Sequence, residues 1–472
     1  MRNGKATGTD EIPVELIKCL GDGKREILHL CNEIYEKGDW PQDFTETVLV
    51  PLQKKSNARK CSEYRTISLI SHSSKILLRI LNRRLYSKVS GELEEEQFGF
   101  RKGRGTRDAI GLLRTIGERY LEKGKEVFVV FVDLEKAFDR VNWVKLLEIL
   151  KKIGVDWKER RLLSNLYMNQ RVKVRTGDEM TEGCEIGRGV RQGCCLSPTL
   201  FNIYLEDIVK TCFQGTGGVK LGGRRINCIR FADDMALFAE DEITINSMLE
   251  ELNSSCEQYG MKINVKKTKA MVIGRKPRNI NVRANSERIQ QVDSFKYLGC
   301  TISSDMSCNQ EVKMRIAIAK EAFNRRKNVF CGPMDIGLRK RLVKCFVWSV
   351  ALYGAETWTL RRNEEKRLEA FEMWTWRKME RVKWTDKVRN EAVLKRVGEK
   401  RSILETIKKR KRNWLGHCLR RNCLLRDALE GMVEGRKVRG RKRYQLMDDI
   451  KLTGSYAITK RKAENRESWR LQ

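Results

Sequence analysis

Three carboxylates are the residues best suited to chemistry in this chain. Asp133 closes the apolar run EVFVVFV at residues 126–132, and Asp233 and Asp234 stand side by side within FADDMALFAE at residues 231–240. Adjacent like charges repel, and a carboxylate near an apolar core is costly without a partner. Something positive should therefore sit among them. Oxygen donors suit hard cations, and Mg²⁺ is usually held by one or two carboxylates together with substrate phosphates. Two such ions about 3.5–4 Å apart can activate an attacking hydroxyl and stabilise a leaving pyrophosphate oxygen. A lone Asp-Asp pair would read as a solvated turn; Asp133 and its setting make the cluster the stronger reading.

The elements that must position these groups can be read from the hydrophobic pattern. Residues 126–143, EVFVVFVDLEKAFDRVNW, begin with β-branched and aromatic residues and then adopt helical spacing at Trp143, Leu146, Leu147, Leu150 and Ile153. That pattern predicts a buried strand followed by a helix, with Asp133 at the strand's carboxyl end, where α/β folds place ligands. In RRINCIRFADDMALFA, residues 224–239, two apolar runs predict a hairpin carrying Asp233 and Asp234 at its tip. Between these units, Ser197 and Pro198 predict a helix cap and first helical position, followed by an apolar stripe of Leu200, Phe201, Tyr204, Leu205 and Ile208.

At 472 residues the chain exceeds what one core normally holds, so one large core with an appended module is expected. A net charge of +34 attracts polyanions, with nucleic acid the leading partner and an anionic membrane surface the alternative. No apolar run reaches the roughly 18 residues of a membrane span, and the amino terminus lacks the apolar core of a secretory signal, so a soluble intracellular protein is expected. The 15 cysteines are scattered without CxxC spacing, which favours reduced thiols. His417, Cys418 and Cys423 supply only three zinc ligands, at no familiar spacing. Beyond residue 361 the chain carries about half of its charge excess in about a quarter of its length, notably in IKKRKRNWLGH at 407–417 and EGRKVRGRKR at 434–443. Such blocks suit solvated helix faces, tails, nuclear import signals or a groove-binding element. Trp374, Trp376, Trp384 and Trp414, interleaved with them, favour a folded helical module.

Seven segments in order resemble the conserved blocks of reverse transcriptases, most closely those of retrotransposons without long terminal repeats. They are YRTISL at 64–69, QFGFRKGRGTRDAI at 97–110, FVDLEKAFDRVNW at 131–143, GVRQGCCLSPTLFN at 189–202, FADD at 231–234, GMKINVKKTK at 260–269 and FKYLG at 295–299. The resemblance implies an α+β right-hand fold, with fingers and palm over 1–300, a thumb over 301–360 and a basic helical nucleic-acid-binding region over 361–472. It implies RNA-directed DNA polymerase activity on an RNA template and a DNA primer or target, with deoxynucleoside triphosphates, two Mg²⁺ or Mn²⁺ ions, no membrane partner and a nuclear location.

By the same resemblance Asp133, Asp233 and Asp234 are metal ligands, and Lys267 protonates leaving pyrophosphate. Arg65 with Lys54 or Lys55 holds the triphosphate, Phe138 is a sugar gate, and Gln192 and Gly193 lie beside the nascent base pair. Phe295, Tyr297, Leu298 and Gly299 form a primer grip, and Asp139 fixes the start of its helix. Thr66 stands where the family usually has proline. The chain opens inside an early family block, so the amino-terminal endonuclease domain of many such elements is expected to be missing. A catalytically decayed nucleic-acid-binding remnant is the alternative reading.

Overall fold

The run VFVVFV builds a strand, Val127–Val132, in which all six residues are buried. Alternation sends Phe128, Val130 and Val132 into one hydrophobic core and Val127, Val129 and Phe131 into another on the opposite face. Each fully buried side chain of this kind contributes about 1.5–3 kcal/mol, so the strand is the hub of the molecule. The structure, a computed structural model, describes residues 1–213, 217–440, 442–448 and 456–470.

Five strands form the central sheet, in the spatial order Gln290–Gln291, Lys269–Ile273, Val127–Val132, Asp234–Ala239 and Cys228–Phe231. The pairings among the last four of these strands are antiparallel, and Gln290–Gln291 joins Lys269–Ile273 in parallel. One face is covered by Ser197–Cys212 and Glu242–Gln258, whose apolar stripes share the first core. Thr106–Glu122 covers the other face. A second sheet pairs Glu46–Gln53 with Tyr64–Leu69 and Arg171–Thr176, and Thr66 sits in that ladder opposite Pro51. This mixed α+β architecture agrees with the sequence reading.

Two local expectations need correction. Ser197 is the first residue of its helix rather than its cap; the cap position falls on Leu196, with Pro198 just inside the first turn. No side chain caps this helix end, since Leu196 has no acceptor to offer, and the buried Ser197 hydroxyl accepts no backbone N–H of the first turn among the described residues. Asp139 does not fix the next helix either. It lies in the 3₁₀ turn Ala137–Arg140, and Asn142 caps Trp143–Lys152 by accepting the Lys145 N–H at 3.1 Å.

The carboxyl-terminal region shares cores with the rest of the chain. Leu368, Phe371 and Trp376 join Val312, Phe323, Trp348 and Trp358 in a helical cluster that runs on to Ile407. From Trp414 onward, Leu415, Cys418 and Leu425 pack into the same core as Ile110, Val129 and Phe131. The basic segment 407–417 lies within the helix Ile403–Leu419, and its Lys411 is 1% exposed, with Nζ donating to the Trp358 carbonyl at 2.9 Å. In 434–443, Lys437 pairs with Glu122 and Arg443 donates to the Asp305 carbonyl, while Arg441 lies outside the described residues.

Removal of residues 361–472 is therefore expected to strip both cores and yield little folded protein. Single truncation of Trp376 to alanine should cost about 3–5 kcal/mol. Melting followed by far-ultraviolet circular dichroism tests this, and a truncated chain with an unchanged midpoint would contradict the shared cores.

Candidate active site

Antiparallel pairing sets Met235 opposite Val132 and Asp234 opposite Phe231. One further step of the first register places Asp133 across from Asp234, two carboxylates at one end of adjacent strands. Ala232 and Asp233 form the two-residue turn of the hairpin, with Ala232 held at φ 58°. A left-handed alanine is strained, and such strain persists only where surrounding contacts enforce it. Gln97 supplies one: its buried Oε1 accepts the N–H groups of Ala232 at 3.2 Å and Gly99 at 2.8 Å. Gly99 must be glycine, because a Cβ there would meet the Ala232 nitrogen at 2.3 Å. Arg230, wholly buried one residue before the turn's flanking Phe231, pairs with Glu206 at 3.2 Å and anchors the same strand.

Asp133 is held by its backbone. Its N–H donates to Thr268 Oγ1 at 3.3 Å, and its carbonyl accepts the Asn264 N–H at 2.8 Å. The side chain makes an ion pair, with Oδ2 3.4 Å from Lys267 Nζ, but Oδ2 has no hydrogen-bond partner among the described residues. Burial, then the Asp133 charge, pushes the Asp233 carboxyl above its ordinary range. Burial against the cleft walls, with Asp233 and Asp133 beside it, pushes the Asp234 carboxyl up to about 6. Three oxygen-donor side chains, one with an oxygen lacking a hydrogen-bond partner and two with carboxyl pKa values pushed up, suit a hard divalent cation. Among the described residues no three His, Cys, Asp or Glu groups converge closely enough to hold an ion alone.

The raised Asp234 pKa has a testable consequence. A carboxyl whose folded pKa of about 6 exceeds its ordinary 3.8 favours folding fully below 3.8 and loses that contribution as pH rises through 6. Without divalent metal, Asp234→Asn is expected to melt higher than wild type at pH 7.5 and at nearly the same temperature at pH 4. The cleft walls desolvate one side of the Asp234 carboxyl while the other stays open to solvent, so screening keeps the gap modest. A mutant melting below wild type at pH 7.5 would contradict the crowding.

These aspartates line a cleft of ≈ 1130 Å³. Arg65, Lys54, Phe138, Gln192 and Lys267 line it too, so the structure brings together most of the residues singled out in the sequence. It also separates the two finger lysines: Lys55 pairs with Glu63 at 2.7 Å, while Lys54 lines the cleft. Gln192 donates from Nε2 to Asp139 Oδ1 at 3.0 Å and accepts Arg65 Nε at 3.5 Å. Phe138 is half-buried, stacked on Phe201 at 4.5 Å and edge-on to Phe100 at 6.4 Å.

Gly193 lies just off the cleft at φ 108°, packed toward the Ser68 carbonyl, where only glycine is unstrained. Phe295 and Tyr297 line an adjoining ≈ 420 Å³ cavity with Asp133, Asp234 and Lys267. Leu298 and Gly299 form the turn beyond it, and the Leu298 carbonyl accepts the Tyr353 hydroxyl at 2.9 Å.

Sequence reasoning missed three positioning residues. Gln97 is one, at the start of QFGFRKGRGTRDAI. Asn264 is another. The third is Arg191, buried, which donates to the carbonyls of Phe44 at 3.2 Å and Thr45 at 3.0 Å and so ties the Gln192 loop to the helical turn that leads into the strand Glu46–Gln53. A polar residue in a loop reads as solvated, and only its long-range partners reveal otherwise.

A family model described as reverse transcriptase (RNA-dependent DNA polymerase) matches residues 52–302. Among curated proteins the chain is similar to the "Retrovirus-related Pol polyprotein from type-1 retrotransposable element R2" of Nasonia vitripennis, at 27% identity over 59% of this chain and 28% of that protein. It is also similar to the "Transposon TX1 uncharacterized 149 kDa protein" of Xenopus laevis, at 26% over 65% and 24%. A third relative is the "RNA-directed DNA polymerase from mobile element jockey" of Drosophila melanogaster, at 23% over 74% and 40%. The chain thus spans 24–40% of the length of these relatives. The matched family span covers more than half of the chain and includes Asp133, Asp233 and Asp234, so the chain belongs to the reverse transcriptase (RNA-dependent DNA polymerase) family.

Proposed function

We propose that this chain is an RNA-directed DNA polymerase of a retrotransposon without long terminal repeats, extending a DNA primer on an RNA template. The observation that carries this reading is Asp133 set opposite Asp234, with Asp233 at the adjoining turn, in one cleft with Arg65 and Lys54. Asp133, Asp233 and Asp234 would hold two Mg²⁺ or Mn²⁺ ions. Such ions, when bound, lower the pKa of the attacking hydroxyl and neutralise charge on the leaving oxygen.

The chain's own groups do the rest. Arg65 and Lys54 bind the triphosphate of the incoming deoxynucleotide, since a guanidinium and an ammonium on one wall match its charge. Gln192, steadied by Asp139, holds the edge of the cleft beside the base. Phe138 bars the ribose 2′ hydroxyl. Lys267 Nζ, already beside Asp133, donates a proton to the pyrophosphate oxygen as it leaves. Phe295, Tyr297, Leu298 and Gly299 steady the primer. Residues 1–300 serve as fingers and palm, 301–360 as thumb, and 361–472 as a nucleic-acid-binding region. Target-site synthesis places the protein in the nucleus; no helix among the described residues is long and apolar enough to cross a membrane.

A homopolymer assay, poly(rA) primed with oligo(dT) and supplied with Mg²⁺ or Mn²⁺, tests the proposal. Incorporation of dTTP is the expected result. Binding of the primer-template without incorporation under either metal would instead support the decayed remnant.

A further inference from the structure

A second cationic cavity lies apart from the catalytic cleft. It measures ≈ 690 Å³ and is lined by Arg107, Arg410, Arg420 and Arg466, with the edges of Trp414 and Trp469 as apolar wall. Glu356 is the only carboxylate among its described lining residues, and it is engaged by Arg107 at 3.4 Å. Arg410 and Arg420 donate to the carbonyls of Leu352 at 3.3 Å and Ala463 at 2.8 Å, which fixes their guanidiniums at the wall, and the arginines make the concave surface basic. Guanidinium groups bind phosphate oxygens through paired N–H donors, and a cavity of this size admits a nucleotide-sized segment of single strand but not a duplex.

The cavity's position gives the ligand a route. Phe100 lines the catalytic cleft, Gly103 and Arg104 line a small cavity with Arg421 and His417, and Arg107 and His417 line the arginine cavity. Residues 100–107 therefore connect the two sites along one stretch of chain. Arg421 closes the link by donating to the Gly103 carbonyl at 2.7 Å. Part-burial, with Arg421, Arg420 and Arg107 nearby, holds the His417 imidazole below its ordinary pKa despite Asp108, as a positive local field should.

We propose that this arginine cavity holds backbone phosphates of a nucleic-acid single strand that leaves the catalytic cleft over residues 100–107. The inference rests on reading residues 361–472 as nucleic-acid binding and names the place where that binding is concentrated. Arg410 and Arg466 are exposed, and replacement of Arg410 removes one hydrogen bond, to the Leu352 carbonyl at 3.3 Å.

The test uses the full-length chain and fluorescein-labelled single-stranded RNA and DNA of one sequence, with affinity measured across a salt series. Arg410→Glu/Arg466→Glu is compared with Lys408→Glu/Lys409→Glu, an equal charge change on exposed positions of the helix that carries Arg410. Melting curves check folding of both. The arginine pair is expected to weaken binding roughly tenfold or more and to flatten the slope of log affinity against log salt by about 1, since each single-strand phosphate contact contributes about 0.7. The lysine pair should do markedly less. The RNA and DNA arms then tell which strand the cavity prefers. Equal weakening by both pairs would overturn the cavity alone, and no weakening by either would overturn the reading of the whole region. Should the arginine variant fail to fold, 4-thiouridine RNA cross-linked to wild type decides the matter: adducts on peptides from 403–421 are expected, and adducts confined to the cleft would refute the site.

Discussion

Asp133→Ala is expected to abolish primer extension, lowering its rate by about a thousandfold or more. The substitution removes one of two carboxylates that face each other across the strand register, and ligands to a catalytic cation carry several kcal/mol of transition-state stabilisation, at 1.36 kcal/mol per tenfold. It also frees Lys267, whose ammonium lies 3.4 Å from Oδ2. Losing a negative charge beside a polyanion should leave primer-template affinity unchanged or slightly higher. Asp233→Ala should behave alike, because Asp233 sits in the strained turn between the paired strands. Single-turnover extension and equilibrium binding, measured on the same preparations, check both halves. Extension at the wild-type rate in either variant would remove the carboxylates from the chemistry, and lost binding with unchanged melting would make them part of the docking surface instead.

Phe138→Val is expected to let ribonucleotides in. The ring is half-buried, its face stacked on buried Phe201 and its remaining surface turned to the cleft that holds the aspartates. It thus packs against the core and walls the cleft at once. Because Phe201 fixes one face of the ring, the ring cannot yield easily to an added 2′ hydroxyl, and a rigid wall discriminates better than a mobile one. Valine removes the reaching part of the ring while keeping a branched side chain to cover Phe201. The ratio of deoxynucleotide to ribonucleotide incorporation efficiency should fall by about 10- to 200-fold, the range available to a change of volume in an apolar wall. Deoxynucleotide use should persist. A ratio that stays put while the melting temperature drops would leave Phe138 a core residue only.

Much of the site was readable before any tertiary contact. VFVVFV reads as a buried strand because the run is short and made wholly of β-branched and aromatic side chains, whereas the buried helix Thr106–Glu122 runs on for 17 residues. FADD between two apolar runs could only turn back on itself. These are local properties, fixed by side-chain shape and period, and they put Asp133 at a strand end and Asp233 and Asp234 at a hairpin tip. The roles of Arg65, Phe138, Lys267 and the rest came from resemblance to a family, since nothing in their spacing assigns a role.

What the tertiary structure decided depends on partners distant in sequence. The register that sets Asp133 against Asp234 is a property of two strands about a hundred residues apart, and a slip of one residue would send one carboxylate to the other face. Lys54 rather than Lys55 lines the cleft because Glu63 takes the latter. Gln97 and Arg191 look like solvated loop residues until Ala232 and the carbonyls of Phe44 and Thr45 are brought to them. In the same way the segment 407–417 reads as a solvated cationic run, yet Lys411 is buried on the Trp358 carbonyl and Trp414 fills the core beneath Gly111. A side chain's type sets what it can bond to, and only the folded chain determines which group is there to be bonded.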